Sequence, residues 1–510
     1  YEMLSGDWSS DVCSSDLILV LSINNDGTAK ISGFRLINAG HPDYTTTRNP
    51  ASIKVGYKSS ARFENIKLDA SKSYAYNTLH IHSGSSPVFY KSVFYNVITN
   101  QSQLSEKRDI LIRNGSNPSF IRCFFGKDST SAQTGILGMP VTINQSSGVF
   151  DSCYFLRAAA NAIYNTGSNP LIKNTVFRKT NGRSIYNSGS YPLVKNCQFA
   201  DTTYSYDYSG GTVNNMDNSD AVYDHCEFKN SYTYAKGAVS YNENSKVVYR
   251  SCFFNAPGGD QSGTSAIANK NSEVRIDNCV GFIKYFTDNT NLYYNGTFVT
   301  NEGSSALTVV NSTLIGNTVI ALPLINSASG STVKVYNSIL WRYGSGLMNT
   351  ASVNDIITSD NTNPAICDIQ NSILFKQDQG NRINSTSGVN PRLRDLSTAT
   401  GPDGVLFSAD DGYIPCDCSA AINSGNNNFN QLPVDILSAG RIYNGTIDRG
   451  AYELQSGNVS SKVYYVKPGT INGNGSSWAN AYNNLQKAIQ NNCADTIIVA
   501  KGVYKPSSSE

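Results

Sequence analysis

One repeat constrains this chain more than any other feature. Residues 162–177, AIYNTGSNPLIKNTVF, align with residues 184–199, SIYNSGSYPLVKNCQF, at an offset of 22 residues. Ile163/Ile185, Tyr164/Tyr186, Asn165/Asn187, Gly167/Gly189, Pro170/Pro192 and Phe177/Phe199 all coincide. The closing aromatic recurs at Phe94, Phe125, Phe155, Phe177, Phe199, Phe228 and Phe254, and Gly281 takes that slot in the next copy. Two residues earlier lie Ser92, Cys123, Cys153, Thr175, Cys197, Cys226, Cys252 and Cys279. Three residues before those lie Phe89, Phe120, Phe150, Ile172, Val194, Tyr223, Tyr249 and Ile276. Weaker copies follow around Asn311, Asn337 and Asn371.

Each copy holds short apolar runs with period-two alternation, broken by Asn, Gly, Ser or Pro, which reads as strand, turn, strand. A unit of this size cannot bury its own apolar face, but stacked copies bury a continuous core. Stacking places equivalent residues about 4.8 Å apart, so the aromatic, thiol and aliphatic columns become interior ladders. Asn174, Asn196 and Asn278 share one turn slot, where Asn tolerates left-handed backbone. The spacing resembles the pectin-lyase-like architecture: an all-β, right-handed parallel β-helix solenoid. A propeller would need about 40 to 50 residues per blade.

Composition agrees. Of 510 residues only 15% are charged, against about 25% in typical chains, while 58 are Asn and 41 Gly. The formal net charge of +2 argues against a polybasic nucleic-acid or membrane-surface binder. No apolar run approaches the about 18 residues of a membrane span. Residues 7–17, DWSSDVCSSDL, back-translate to a common sequencing-library adapter. Residues 1–17 are therefore set aside, and Cys13 leaves the cysteine count. Residues 18–23 read as a strand. Six of the remaining cysteines occupy the interior column and are expected as buried thiols. Parallel side-chain vectors fit a disulfide poorly, and a column offers no tetrahedral zinc site. The state of Cys416 and Cys418, in IPCDC, stays open.

Residues 18–391 are read as rungs and 392–455 as their closing segment. The latter holds GPDGVLFSADDGY (401–413), SAAINSGN (419–426) and DILSAGRIYNGTIDRGAYEL (435–454). Together these resemble the C-terminal part of bacterial β-helix surface proteins of the choice-of-anchor Q type, which close on D-x-G-A-Y-E. Here that motif is Asp448, Arg449, Gly450, Ala451, Tyr452 and Glu453, with Arg449 where the family usually has Ile. The resemblance implies a secreted or cell-surface protein and says nothing of chemistry. A polar linker, 456–462, leads into 463–510. That stretch reads as strand, Gly/Asn loop, a helix with Leu485, Ala488 and Ile489 on one face, and a strand at 496–500. It looks like the cap and first rung of a second β-helix, which makes the chain an internal piece of a tandem array.

A β-helix hosts lyases and hydrolases as well as adhesins, so function must come from sites. Of the polygalacturonase-type motifs only an isolated Asp410-Asp411 and Arg275-Ile276-Asp277 occur. His80 and His82 alternate with Leu79 and Ile81, which points both imidazoles outward on one face, where they could ligate a metal or act as a base; the leading expectation is a solvated strand face. Asp403, Asp410 and Asp411 form an acidic, Gly-containing loop, a weak candidate for structural Ca²⁺. Rung length varies mostly after the closing aromatic, at 126–135, 200–218, 229–237, 255–263 and 282–296, so these loops should line one edge. They carry Tyr204, Tyr206, Tyr208, Tyr232, Tyr234, Tyr293 and Tyr294, with Asp207 and Lys236 among them. Aromatics beside hydrogen-bonding groups suit glycan binding. The leading expectation is a non-catalytic adhesin or stalk module that binds polysaccharide or cell-surface glycan along this edge. The alternative is a polysaccharide lyase, less readily a glycoside hydrolase, with Tyr234, Lys236 and Asp207 as weak catalytic candidates.

Overall fold

The computed structural model describes residues 21–23, 30–33, 35–37, 51–69, 77–95, 108–126, 139–158, 161–180, 182–204, 210–233, 236–255, 258–259, 265–284, 286–287, 292–293, 297–317, 323–343, 353–358, 366–377, 380–455, 462–470, 473, 475–490 and 494–504. The adapter-like stretch lies outside these residues. Within them the chain is a right-handed parallel β-helix with three parallel sheets of 13, 14 and 14 strands. One rung illustrates the rest: Asn161–Thr166 in the first sheet, Asn169–Lys173 in the second and Val176–Arg178 in the third. The next rung begins at Arg183–Ser188, with Ile163 beside Ile185 and Tyr164 beside Tyr186. Strand Leu21–Ile23 opens the first sheet.

Two one-residue kinks per rung let so short a repeat turn two corners. At the second corner Asn174, Asn196 and Asn278 have φ of 52°, 51° and 56°, the left-handed conformation expected of that slot. The thiol column follows directly. Its members behave like hydroxyls rather than plain apolar filler: Cys123 Sγ donates to Phe89 O at 3.4 Å, and Cys153 Sγ donates to Phe120 O at 3.2 Å. Thr175 and Ser312 fill the same slot, accepting from the backbone N–H of Cys153 and Cys279. All six column thiols are free and buried. Cys418 is disulfide-bonded.

Inside, the third-sheet aromatics stack as expected, from Phe94–Phe125 at 5.0 Å through Phe155–Phe177 at 4.8 Å to Phe228–Phe254 at 5.4 Å. At the next rung Phe298, from the first sheet, turns into the vacated slot and meets Phe254 edge-on at 5.6 Å. A second interior column is polar. Asn165, Asn187, Asn215, Asn242, Asn269 and Asn301 are buried in the first sheet, each amide donating to the next at 2.7–2.9 Å. Buried amides are tolerated here because the stack pairs nearly every one.

Residues 388–455 do not sit on the end of the solenoid. They run back along the outer face of the third sheet, where Tyr413, Ile422, Ala451 and Tyr452 pack with Phe253, Val280, Ile315, Ile339 and Ile373. Ala451 N donates to Thr313 Oγ1 and Gly450 N to Asn337 O. Gly450 has φ 99°, and a Cβ there would lie 2.7 Å from Thr313 Oγ1. Farther on, strands Lys462–Val466 and Ala494–Val499 pair in parallel beside helix Leu485–Gln490. Ala488 is buried there, but Ile489 is 58% exposed, so the helix buries a narrower face than its pattern implied.

Candidate functional site

The outward side of the first sheet carries the richest chemistry. Its strands repeat an Ile-Tyr-Asn core, with Ile and Asn inward and Tyr outward. Tyr164 and Tyr186 therefore stack, half-buried, at 4.9 Å and 5°. The Arg183 guanidinium lies over the Tyr186 ring at 5.4 Å. The column continues through Asn214, Tyr241, Ala268 and Thr300. Over Asn214 the loop backbone closes in, Gly211 N donating to Asn214 Oδ1 at 3.2 Å.

A second outward column runs beside it: Thr166, Ser188, Met216, Glu243, Lys270 and Glu302. Ser188 Oγ donates to Asp217 Oδ2 at 2.8 Å, and Lys270 pairs with Glu243 at 2.7 Å. The Lys270 contact holds Glu243 below the usual carboxylate range. Tyr241 donates its hydroxyl to Glu243 at 3.1 Å, and burial, with that carboxylate, pushes the phenol up. Its proton is thus held more firmly than an ordinary tyrosine's.

The tyrosines proposed from sequence fall into separate places. Thr203–Tyr204, Tyr232–Thr233 and Gly258–Gly259 form a small parallel sheet on the loop edge. Tyr204 stands beside Thr233, and Tyr232 beside Thr203, so the two tyrosines are one position out of register. Tyr293 belongs to a different, antiparallel pair, opposite Phe286. Tyr206, Asp207, Tyr208, Tyr234 and Tyr294 lie outside the described residues. Lys236 is exposed and ion-paired with Glu302, at the end of the second outward column.

The acidic loop is bound up with itself. Asp411 is buried and accepts from Phe407 N, Ser408 N and the Tyr452 hydroxyl. Asp410 accepts from Ser408 Oγ and Asp403 N, and Asp403 accepts from Val405 N. Among the described residues no group of three His, Cys, Asp or Glu is placed to hold a metal ion. Arg275 pairs with Asp277 on the second sheet, a different face from the acidic loop. The His80 and His82 expectation needs correction. His80 is on the outward side, yet it is 3% exposed rather than solvated, and burial, helped by Arg113, holds its pKa down to about 3.

The closing motif is structural. Asp448 accepts from Asn423 N and Leu454 N, and Glu453 accepts from Tyr443 N and Asp448 N. Arg449, where a hydrophobe was expected, donates to Ser424 O and Asn384 O, tying the segment to a turn of the solenoid. Sequence reasoning missed the Tyr164/Tyr186 face as a site, though the repeat alignment contained both residues. Strand alternation was the signal that could have found it.

In comparisons with known proteins the chain matches no family model and no curated protein. Among solved structures it is similar to pectate lyase Pel9A, at 16% identity over 72% of this chain and 88% of that one, TM-score 0.44. It is similar to PfbA, a surface adhesin of Streptococcus pneumoniae, at 10% identity over 63% and 89%, TM-score 0.32. It is similar to the catalytic domain of a GH87 alpha-1,3-glucanase in complex with nigerose, at 11% identity over 67% and 63%, TM-score 0.34. No helix among the described residues is long and apolar enough to cross a membrane.

Proposed function

We propose that this chain is a cell-surface β-helix module that holds glycan chains along the outward face of its first sheet without transforming them. The observation that carries this reading is the Tyr164–Tyr186 pair, two parallel half-buried rings with Arg183 over one of them. Sugar rings present apolar faces that stack on such aromatics, while the flanking Ser188, Asp217, Glu243 and Lys270 supply hydrogen-bonding groups. Binding is favoured over proton abstraction because the ionisable groups there are engaged with one another: Lys236 with Glu302, Lys270 with Glu243, and Tyr241 donating to Glu243. A surface location is supported by the resemblance of the Asp448 to Glu453 motif to choice-of-anchor Q proteins. The unit at 462–504 is, in this reading, the cap and first rung of a further β-helix.

The test is a glycan-binding screen on the protein and its Tyr164→Ala/Tyr186→Ala variant, run beside an assay for new reducing ends with and without Ca²⁺. Retained glycans that the variant loses by about tenfold or more support the proposal. Release of reducing ends that Lys236→Ala abolishes would replace it with a carbohydrate-cleaving enzyme, a polysaccharide lyase if the other new end is an unsaturated uronate and a glycoside hydrolase if it is not.

A further inference from the structure

Three rungs toward the N-terminus from Tyr164, the same outward face changes character. Strand register sets Lys54 beside His80 and His80 beside Leu111. One turn of the pleat farther on, His82 lies level with Gly56 on one side and Arg113 on the other. The missing side chain at Gly56 is what admits the His82 ring, since a Cβ there would be 2.5 Å from its Cε1. The two imidazoles face each other at 4.8 Å, and His82 Nδ1 is 2.8 Å from Ser83 Oγ.

Two features coincide in this patch. Its polar atoms lack partners: His80 Nδ1 and Nε2, Arg113 Nε and Thr142 Oγ1 are all buried without a hydrogen bond. Burying such an atom without a partner is costly unless something binds it. Its charges also lack partners. Some outward cations on the solenoid pair with acids, as in Lys30–Glu64, Lys173–Asp151, Lys195–Asp224 and Lys270–Glu243, while others such as Lys91, Arg122 and Lys334 do not among the described residues. Lys54 and Arg113 join no ion pair among the described residues. Two uncompensated cations repel a metal ion but attract an anion, and the Arg fork matches a carboxylate.

We propose that Lys54, His80, His82 and Arg113 form a site for the carboxylates of an acidic polysaccharide. The inference rests on the glycan-holding reading above and specifies its ligand as a uronate-containing chain. Lys54, His82 and Arg113 keep part of their surface exposed, and His80 lies buried behind them, neutral in keeping with its depressed pKa. The column joins the two sites: His80 leads through Leu111 and Thr142 to Tyr164. Leu111 and Thr142 between them are buried, so a glycan reaching both sites spans three strand spacings, about 14 Å, over a covered stretch.

The test measures binding of oligogalacturonate, oligomannuronate and hyaluronan oligosaccharides, each against its carboxyl-reduced counterpart, at low salt. The expected result is a preference of about tenfold for at least one acidic form. Lys54→Gln/Arg113→Gln should abolish that preference without weakening the reduced form, while Tyr164→Ala should weaken both forms. Equal binding of acidic and reduced forms, or a preference that survives Lys54→Gln/Arg113→Gln, overturns this inference and leaves the glycan-holding function intact. Binding of neither form, with no glycan retained in the wider screen, overturns both. Circular dichroism of each variant separates lost binding from lost fold.

Discussion

Replacing Gly281 by alanine should loosen the solenoid, although it adds a methyl group to an apolar column. Gly281 occupies the slot where Phe94 to Phe254 stack, so the repeat alone would make any larger residue an improvement. The structure reverses that expectation. A Cβ at Gly281 would lie 2.4 Å from Phe298 Cε2, 2.6 Å from its Cζ and 2.8 Å from Leu314 Cδ2. The Phe298 ring cannot easily yield, because it meets Phe254 edge-on at 5.6 Å within a filled core. Overpacking of this kind costs about 1–3 kcal/mol. Against it stands a gain of about 0.4–1 kcal/mol from a less flexible unfolded chain. At the midpoints of these ranges the net loss is about 1.3 kcal/mol, or roughly tenfold in local opening. A solenoid opens locally, so the assay is amide hydrogen exchange at Val280–Lys284 and Thr297–Glu302 rather than a global melt. Gly281→Phe combined with Phe298→Ala moves the ring into the stacked column and should protect these strands better than Phe298→Ala alone. Exchange that is unchanged or slower in Gly281→Ala would refute the reasoning.

Other outcomes follow from the same contacts. Asn215→Leu breaks ladder bonds to Asn187 and Asn242 and leaves the Tyr223 O–H without its acceptor, and should cost about 2–4 kcal/mol in local opening read by hydrogen exchange. Asn165→Leu should cost less, because Asn165 ends the ladder and its Oδ1 already lacks a partner. Stability should respond to pH in opposite senses at two places. Burial raises Glu453 to about 7, so its contribution is full below about 4.5 and fades as pH rises through 7. Burial lowers His80 to about 3, so its contribution is full above 6.5 and fades as pH falls. Hydrogen exchange, corrected for intrinsic rates, should show 441–454 loosening toward pH 8 and Asn77–Ile81 loosening toward pH 5. Glu453→Gln should remove the first response and His80→Leu the second. A thiol reagent should leave the six column cysteines unmodified until the protein unfolds, since burial pushes their thiols up where a shift is seen, as at Cys197 and Cys226.

The rung pattern was legible because every column advances by one strand spacing per copy. That is why the left-handed Asn174 and the stacked Phe177 sit where the repeat places them. The Asn ladder was harder to see. Asn165 and Asn187 coincide in the tidiest pair of repeats, but reaching Asn215, Asn242, Asn269 and Asn301 means crossing loops of unequal length. The swap of Phe298 into the Gly281 slot was hidden because the ring comes from a different sheet. The loop-edge tyrosines looked like one surface because sequence spacing carries no register. Pairing sets Tyr204 against Thr233 and removes Tyr293 to another sheet. Alternation correctly turned His80 outward, but it could not tell an outward position from a wet one.

The strap formed by 388–455 changes how the solenoid would carry load. It crosses five rungs and returns to the level of Thr313 before the chain moves on past Leu454. A pull from the C-terminal unit would therefore enter the third sheet at Thr313, three strands before the last, and at Asn337, rather than only at the last strand, Thr386–Ser387. The bonds from Gly450, Ala451 and Arg449 would be loaded together, so the tension is shared between the level of Thr313 and Asn337 and, through Arg449, the last rung at Asn384.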